Sequence, residues 1–142
     1  MIPLKKSSES DPDLDTHAKE PTVILDEATI QRSILISEAD TLSRQGNYSS
    51  AIPLYTKAIQ MKTSEILLLC RSRCRTFMGD IAGALKDAED ALLLNEYSFK
   101  ALLCKADVLF AKGDFELALM WYHRGLQQRP DSDEFRLGAT FF

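Results

Sequence analysis

The sequence predicts an all-α protein, an α-solenoid of three helix–turn–helix repeats with a C-terminal capping helix and a disordered N-terminal tail. Two observations support this fold class. First, glycine recurs at Gly46, Gly79 and Gly113, at intervals of 33 and 34 residues. Second, small residues follow each glycine at the same two distances, where paired helices would touch: Ala51, Ala84 and Ala118, then Ala58, Ala91 and Gly125. Repetition at this period indicates stacked helical hairpins.

The clearest copy of the repeat is the segment 99–131, FKALLCKADVLFAKGDFELALMWYHRGLQQRPD. Gly113 divides it into two helices. Tyr122 follows the small residue Ala118 by four positions, and Pro130 closes the unit. A small residue, an aromatic one turn later and a proline after the second helix are the spacing of a tetratricopeptide repeat.

Residues 1–25 are predicted to be a disordered acidic tail, and residues 26–142 to be the repeat domain. Residues 1–26 carry three lysines and six acidic residues, which contributes −3 to the net charge of −4. They contain too little apolar surface to offset the conformational entropy that ordering would cost. Within the domain, the repeats are predicted at about 32–63, 64–97 and 98–131, and the end helix at 132–138.

The first repeat begins with a helix for which Asp26 is a candidate N-cap. Apolar residues then recur at helical spacing as far as about Gln45. The partner helix is predicted over residues 48–61, with Pro53 in its first turns, where it removes one backbone hydrogen bond near Ser49 and can bend the helix.

The second repeat and the end helix follow from similar patterns. In the second repeat, Asp87, Glu89 and Asp90 are assigned to a solvated helix face. After the third repeat, Asp131 and Glu134 have the spacing of a capping box, which predicts the start of the end helix. A solenoid needs such a helix to cover the apolar face of its last repeat.

Composition argues against two classes of partner. Residues 27–142 carry 14 basic and 15 acidic residues, so the repeat domain offers no electrostatic case for nucleic acid. No apolar run approaches the roughly 18 residues that a membrane span requires. The N-terminus also lacks the apolar stretch of a secretory signal, so the cytoplasm is the expected compartment.

Catalytic, cofactor and metal sites are not expected. The three cysteines Cys70, Cys74 and Cys104 are predicted to be free thiols, and no residue pair completes a metal site with Cys70 and Cys74. The two histidines, His17 and His123, lack the partners of a general base. No phosphate-binding glycine loop or nucleophile elbow is present.

Stacked hairpins instead create a concave groove lined by the first helix of each repeat. Such a surface suits an extended peptide or a helix of a partner protein. Counting helical positions back from the three glycines predicts the residues that line it. The principal ones are Ile36, Asp40, Arg44, Leu69, Arg73, Phe77, Lys100, Leu103, Asp107 and Phe110. Ser33, Ser37, Ile66, Cys70 and Cys104 complete the set.

The groove composition disfavours one familiar ligand class, the acidic C-terminal tails of chaperones. Repeat proteins that bind these tails resemble one another in lysine, asparagine and arginine side chains that hold a carboxylate. Of the matching positions here, only Lys100 fits, and Asp40 would repel an anion.

Charged residues also occupy equivalent positions inside the three first helices, where an apolar residue is usual. These are Glu38, Arg71 and Lys105. We expect Glu38 and Arg71 to pair across neighbouring helices and fix the stacking register, while contact with a partner is the rival explanation.

Residues 37–138 resemble the tetratricopeptide repeat subunits of the outer dynein arm docking complex. The segments that carry the resemblance are RSRCRTFMGDIAGALKDAEDAL and GDFELALMWYHRGLQQRPDSDEFRLG. Its most specific parts are residues 122–125, 129–131 and 134–138, whereas generic repeat positions account for much of the rest.

The resemblance implies a non-enzymatic scaffold that attaches outer dynein arms to the doublet microtubules of motile cilia. The implied partners are coiled-coil subunits of the docking complex, axonemal dynein or microtubule-associated proteins, without a cofactor. The implied locations are the cytoskeleton and the ciliary axoneme in addition to the cytoplasm. The alternative is a general cytosolic adaptor that holds a peptide or helix in its concave groove.

Overall fold

The computed structural model describes residues 24–140, so almost all of the predicted tail and the terminal Phe141 and Phe142 lie outside the described residues. Over residues 24–140 the regular structure is α-helical, which confirms the predicted all-α class. The helices are α1 (Glu27–Arg44), α2 (Tyr48–Met61), α3 (Glu65–Phe77), α4 (Ile81–Leu94), α5 (Phe99–Lys112), α6 (Phe115–Gln128) and α7 (Asp133–Thr140).

Two units make up the chain, residues 1–30 and 31–142. The described part of the first unit is the beginning of α1. There the backbone N–H of Thr29 donates to Oδ1 of Asp26 at 2.9 Å, which confirms the predicted N-cap. Hydrogen bonds from Thr29 also lower the pKa of the Asp26 carboxyl.

In the second unit, the three predicted corners are equivalent. Gly46, Gly79 and Gly113 have φ angles of 82°, 86° and 94°, the left-handed region that favours glycine. The residue after each glycine donates its N–H to a carbonyl five residues earlier, at 2.8 to 3.0 Å. This pattern ends the helix and turns the chain towards the next one. The prediction that these glycines occupy matching corners is therefore confirmed.

Small residues allow the paired helices to approach closely. All six positions singled out in the sequence are buried, and the five alanines among them have no exposed surface. Tyr55 and Tyr122 fill the space beside them and are 1% and 4% exposed. Close backbone approach beside a large ring is how such hairpins reach the packing density of a protein interior.

The end helix α7 occupies the place of a first helix in a fourth repeat. Ser64, Ser98 and Ser132 precede α3, α5 and α7 at 34-residue spacing. Oγ of Ser132 accepts the N–H of Phe135 at 3.4 Å, as Oγ of Ser98 accepts that of Ala101 at 3.1 Å. The predicted capping box at Asp131 is therefore wrong, because the helix begins two residues later and Ser132 caps it.

Arg71 joins three helices but does not pair with Glu38. Its guanidinium Nη2 lies 2.7 Å from Oδ1 of Asp87, and Nη1 donates to Oγ1 of Thr56 at 3.1 Å. Arg75 adds a second ion pair to Asp87 at 2.9 Å. The predicted Glu38–Arg71 pair is wrong, because Arg71 faces the second helices of its own and the preceding repeat. The solvated position predicted for Asp87 is also wrong, since this side chain is 1% exposed.

Lys105 repeats this arrangement one hairpin later. Its Nζ lies 3.4 Å from Oε2 of Glu89 in the preceding repeat and 4.3 Å from the ring centroid of Trp121 in its own. Lys105 and Arg71 both stand eight positions before their corner glycine. A cation at this position therefore fastens each of the last two hairpins to the hairpin before it.

Candidate partner-binding groove

The groove is formed mainly by α3 and α5, and Glu134 of α7 lies at one end. It encloses a cavity of about 650 Å³. Its apolar lining includes Ile66 and Phe77, which are 61% and 62% exposed. Large exposed apolar side chains in a concave surface are typical of a site that another molecule covers.

Residues predicted from the second and third repeats meet in this cavity. Those of the principal set that line it are Leu69, Arg73, Phe77, Lys100, Leu103, Asp107 and Phe110. Ile66, Cys70 and Cys104 from the wider set also line it. The structure thus brings these side chains together, and their role in holding a partner stays a prediction.

The predicted residues of the first repeat are not part of the cavity lining. Ile36 packs against a core cluster that contains Ala39 and Tyr55. The carboxylate of Asp40 accepts a hydrogen bond from the Tyr55 hydroxyl at 2.5 Å, and exposed Arg44 donates to Thr41 at 3.2 Å. Ser33 and Ser37 are exposed outside the lining.

Five lining residues were not predicted from the sequence. They are Thr76, Phe99, Val108, Tyr122 and Glu134. A signal existed for Glu134, which stands 34 residues after Lys100 and thus continues a predicted row of the groove. Treating the end helix as the first helix of a further repeat would have found it.

The pKa of Asp107 is raised by its position in the groove. One of its oxygens accepts a hydrogen bond from the Tyr122 hydroxyl at 2.5 Å. Desolvation by the groove walls raises the pKa of Asp107, although the hydrogen bond from Tyr122 and the charge of Arg73 oppose this effect. Burial and the neighbouring carboxylate in turn raise the pKa of Tyr122, so its hydroxyl stays protonated and donates.

The raised pKa of Asp107 makes a testable prediction about pH dependence. The folded protein binds a proton at Asp107 more readily than the unfolded chain, whose aspartates titrate near pH 3.9. Protonation therefore stabilises the fold as the pH falls through the raised pKa. In Asp107→Asn the amide oxygen still accepts from Tyr122, but this dependence is removed.

Thermal unfolding followed by circular dichroism from about pH 7 to about pH 4 measures the effect. The melting temperature of the wild type, relative to that of Asp107→Asn, is expected to increase as the pH falls. A difference that stays constant across this range would show that Asp107 titrates normally.

The three thiols are not reactive groups. Cys70, Cys74 and Cys104 are free, as predicted. Burial raises the pKa of each, so each remains a thiol at neutral pH. Cys104 donates to Oγ of Ser72 at 3.3 Å, and that hydroxyl donates in turn to the carbonyl of Ala84.

The chemistry of the described residues is that of a binding surface. Among residues 24–140, no group of three or more histidine, cysteine or acidic side chains is arranged to hold a metal ion. Within the same range no helix combines the length and apolarity needed to cross a bilayer. The groove offers apolar walls, two cations and two acids.

Comparison with known proteins identifies relatives of the repeats. The chain is 41% identical over 107 residues to outer dynein arm-docking complex subunit 4 of Xenopus laevis, which covers 75% of this chain and 20% of the relative. It is 44% identical over 104 residues to the subunit of the same name of Danio rerio, with 72% and 21% covered. The chain therefore spans about a fifth of the length of these two curated relatives. No family model matches it.

Solved structures share the fold. The first TPR domain of Spaghetti (RPAP3), bound to the HSP90 peptide SRMEEVD, superposes with a TM-score of 0.72 at 25% sequence identity. The match covers 78% of this chain and 88% of that domain.

Proposed function

Since this chain belongs to the tetratricopeptide repeat family, we propose that it is a non-enzymatic scaffold of the outer dynein arm docking complex in motile cilia. The observation that carries the proposal is the similarity of its repeats to docking-complex subunit 4, at 39–44% identity in four vertebrate relatives. Identity to relatives named as chaperone organizing proteins is lower, at 27% and 30%.

The groove supports a role in protein contacts. It is open to solvent, it is lined by exposed apolar side chains, and its charged groups are spread along α3, α5 and α7. A partner segment laid across it would cover this apolar surface, and that burial would supply the main driving force for binding. In this proposal the partners are coiled-coil docking subunits, axonemal dynein or microtubule-associated proteins, and the location is the axoneme.

Purification of the tagged 142-residue chain from multiciliated cells tests this function. Docking-complex coiled-coil subunits are expected to co-purify, and the tagged chain is expected to localise along axonemes. Depletion is expected to remove outer dynein arms from axonemal cross-sections. An unrelated tetratricopeptide protein, tagged and expressed at the same level, is the control.

The general adaptor hypothesis makes the opposite prediction. Uniform expression across ciliated and unciliated tissues, with a diffuse cytosolic distribution, would favour it over docking. Recovery of chaperones with acidic C-terminal tails in place of axonemal subunits would contradict the proposed partner class, because Asp40 and Asp107 disfavour anions in this region.

A further inference from the structure

Charges alternate along one row of the concave surface. The position six residues before each corner glycine holds Asp40 in α1, Arg73 in α3 and Asp107 in α5. Helix periodicity places equivalent positions of successive first helices side by side. The row therefore presents an acid, a base and an acid across the three repeats.

The two acids of this row accept internal hydrogen bonds, whereas the base between them makes none within the described part of the chain. Tyr55 and Tyr122 donate to Asp40 and Asp107 over the same sequence separation of 15 residues. In the second repeat, the position of these tyrosines is taken by Ala88. Arg73 is exposed and has no hydrogen bond or ion pair to any residue of the range 24–140. A partner can therefore engage its guanidinium without breaking an internal contact.

The charges of this row affect the pKa values of neighbouring side chains. Burial raises the pKa of both Cys70 and Asp107. The charge of Arg73 opposes this rise in each, whereas the charge of Asp40 adds to it in Cys70. Arg73 thus lies close enough to Asp107, its neighbour in the row, to act on it, yet it makes no ion pair there.

A second row of charged residues lies in the cavity. Thirteen positions before the glycine of the third repeat stands Lys100, and its equivalent on α7 is Glu134. Both line the cavity. Within the cavity, an acid follows a base on the next first helix in both rows, from Arg73 to Asp107 and from Lys100 to Glu134.

The spacing of the first helices suits an extended occupant. Neighbouring helices lie about 8–10 Å apart, a distance that about three residues of extended chain span. Side chains three positions apart in a ligand would therefore meet successive first helices.

We propose that the concave surface of the three repeats, from Asp40 outside the cavity to Arg73 and Asp107 in its lining, selects an extended protein segment. In this segment one carboxylate is flanked by two cationic side chains, each about three residues away. The carboxylate pairs with the free guanidinium of Arg73, and the cations lie against Asp40 and Asp107. This inference rests on the proposed function, because it names the chemistry of the partner that the scaffold holds. Segments with consecutive acids are rejected by the two flanking carboxylates.

Phage display tests the inference with a library of random 12-residue peptides. The wild-type 142-residue chain, Arg73→Glu and Arg73→Lys are each used as bait. The wild type and Arg73→Lys are expected to enrich an acid flanked by lysine or arginine at three-residue spacing. Arg73→Glu is expected to lose these peptides and to enrich a cation at the central position. The affinity of an enriched wild-type peptide, measured by fluorescence anisotropy, is expected to fall about tenfold or more in Arg73→Glu.

Two controls show whether an effect of Arg73→Glu comes from misfolding or from a surface outside the groove. Circular dichroism is expected to show the helical signal of the wild type and cooperative unfolding for Arg73→Glu, because Arg73 is exposed and makes no hydrogen bond to residues 24–140. Lys86→Glu, a charge reversal at an exposed residue outside the cavity, is expected to retain wild-type selection. Identical enrichment by wild type and Arg73→Glu, enrichment of consecutive acids, or no enrichment by the wild type would each overturn the proposal.

Failure of the groove proposal can be distinguished from failure of the proposed docking function. If Arg73→Glu still co-purifies docking-complex subunits at wild-type levels, the scaffold function stands and the groove proposal is overturned. If the wild type selects the predicted motif but co-purifies no axonemal subunit, the groove proposal stands and the docking function fails.

Discussion

Asp87→Ala is expected to lower the free energy of unfolding by about 3–5 kcal/mol, the range for removing one partner of a buried ion pair. Asp87 is 1% exposed and accepts three hydrogen bonds, two from Arg71 and one from Arg75. The substitution leaves the Arg71 guanidinium, 13% exposed, without a carboxylate, and it leaves that of Arg75, 23% exposed, with only the longer contact to Asp80 at 3.6 Å. Their desolvation is then mostly uncompensated, which is why the effect is large.

Chemical denaturation followed by circular dichroism measures this loss. Asp90→Ala is the matched control on the same helix, because Asp90 pairs with Lys86, which is 74% exposed, at 3.2 Å. Removal of such a surface pair is expected to cost at most about 1 kcal/mol. Equal losses for the two variants would mean that the Arg71–Asp87–Arg75 cluster does not stabilise the fold.

Phe135→Ala is expected to destabilise the protein by about 3–5 kcal/mol, as for other large aromatic side chains in a core. Phe135 has no exposed surface and packs in a cluster with Leu102, Leu109 and Tyr122. Its ring lies so close to Gly125 that a Cβ atom at this glycine would come within 2.0 Å of the ring. The alanine variant leaves this space empty and removes the main contact of α7.

Trp121 is the single tryptophan of the sequence, and it packs against the same cluster, so its fluorescence reports the loss together with circular dichroism. Leu137→Ala is the control on α7, since Leu137 is 67% exposed and its truncation is expected to change stability by less than about 0.5 kcal/mol. A Phe135→Ala protein as stable as Leu137→Ala would show that α7 does not cover the last repeat.

The corners and the groove of the second and third repeats could be predicted because they depend only on how far each residue stands from its corner glycine. A glycine at a left-handed corner is dictated by backbone sterics, and side chains at fixed distances from that corner point in fixed directions. The first repeat does not line the cavity, and its side chains differ from those of the other two repeats at equivalent positions. Where α3 and α5 carry the groove aromatics Phe77 and Phe110, the equivalent positions of α1 are Arg44 and Ser43.

The buried ion pairs could not be predicted from helical periodicity, since charged residues on a helix usually face solvent. The position of Asp87 nevertheless carried a signal. Its equivalents in the other repeats are Leu54 and Trp121, which indicates a buried position, and an acid there requires a cationic partner. Which cation reaches it depends on the three-dimensional stacking of hairpins, because Arg71 and Asp87 are 16 residues apart.

The different chemistry of the two contacts that Arg71 and Lys105 make with the preceding hairpin sets the response of the scaffold to ionic strength. Arg71 reaches that hairpin through a hydrogen bond to the uncharged hydroxyl of Thr56, which dissolved salt screens little. Lys105 reaches it through an ion pair with Glu89, which is 50% exposed and is screened far more strongly. The contact between the last two hairpins is therefore the more salt-sensitive of the two, and the groove helices α3 and α5 lie on either side of it.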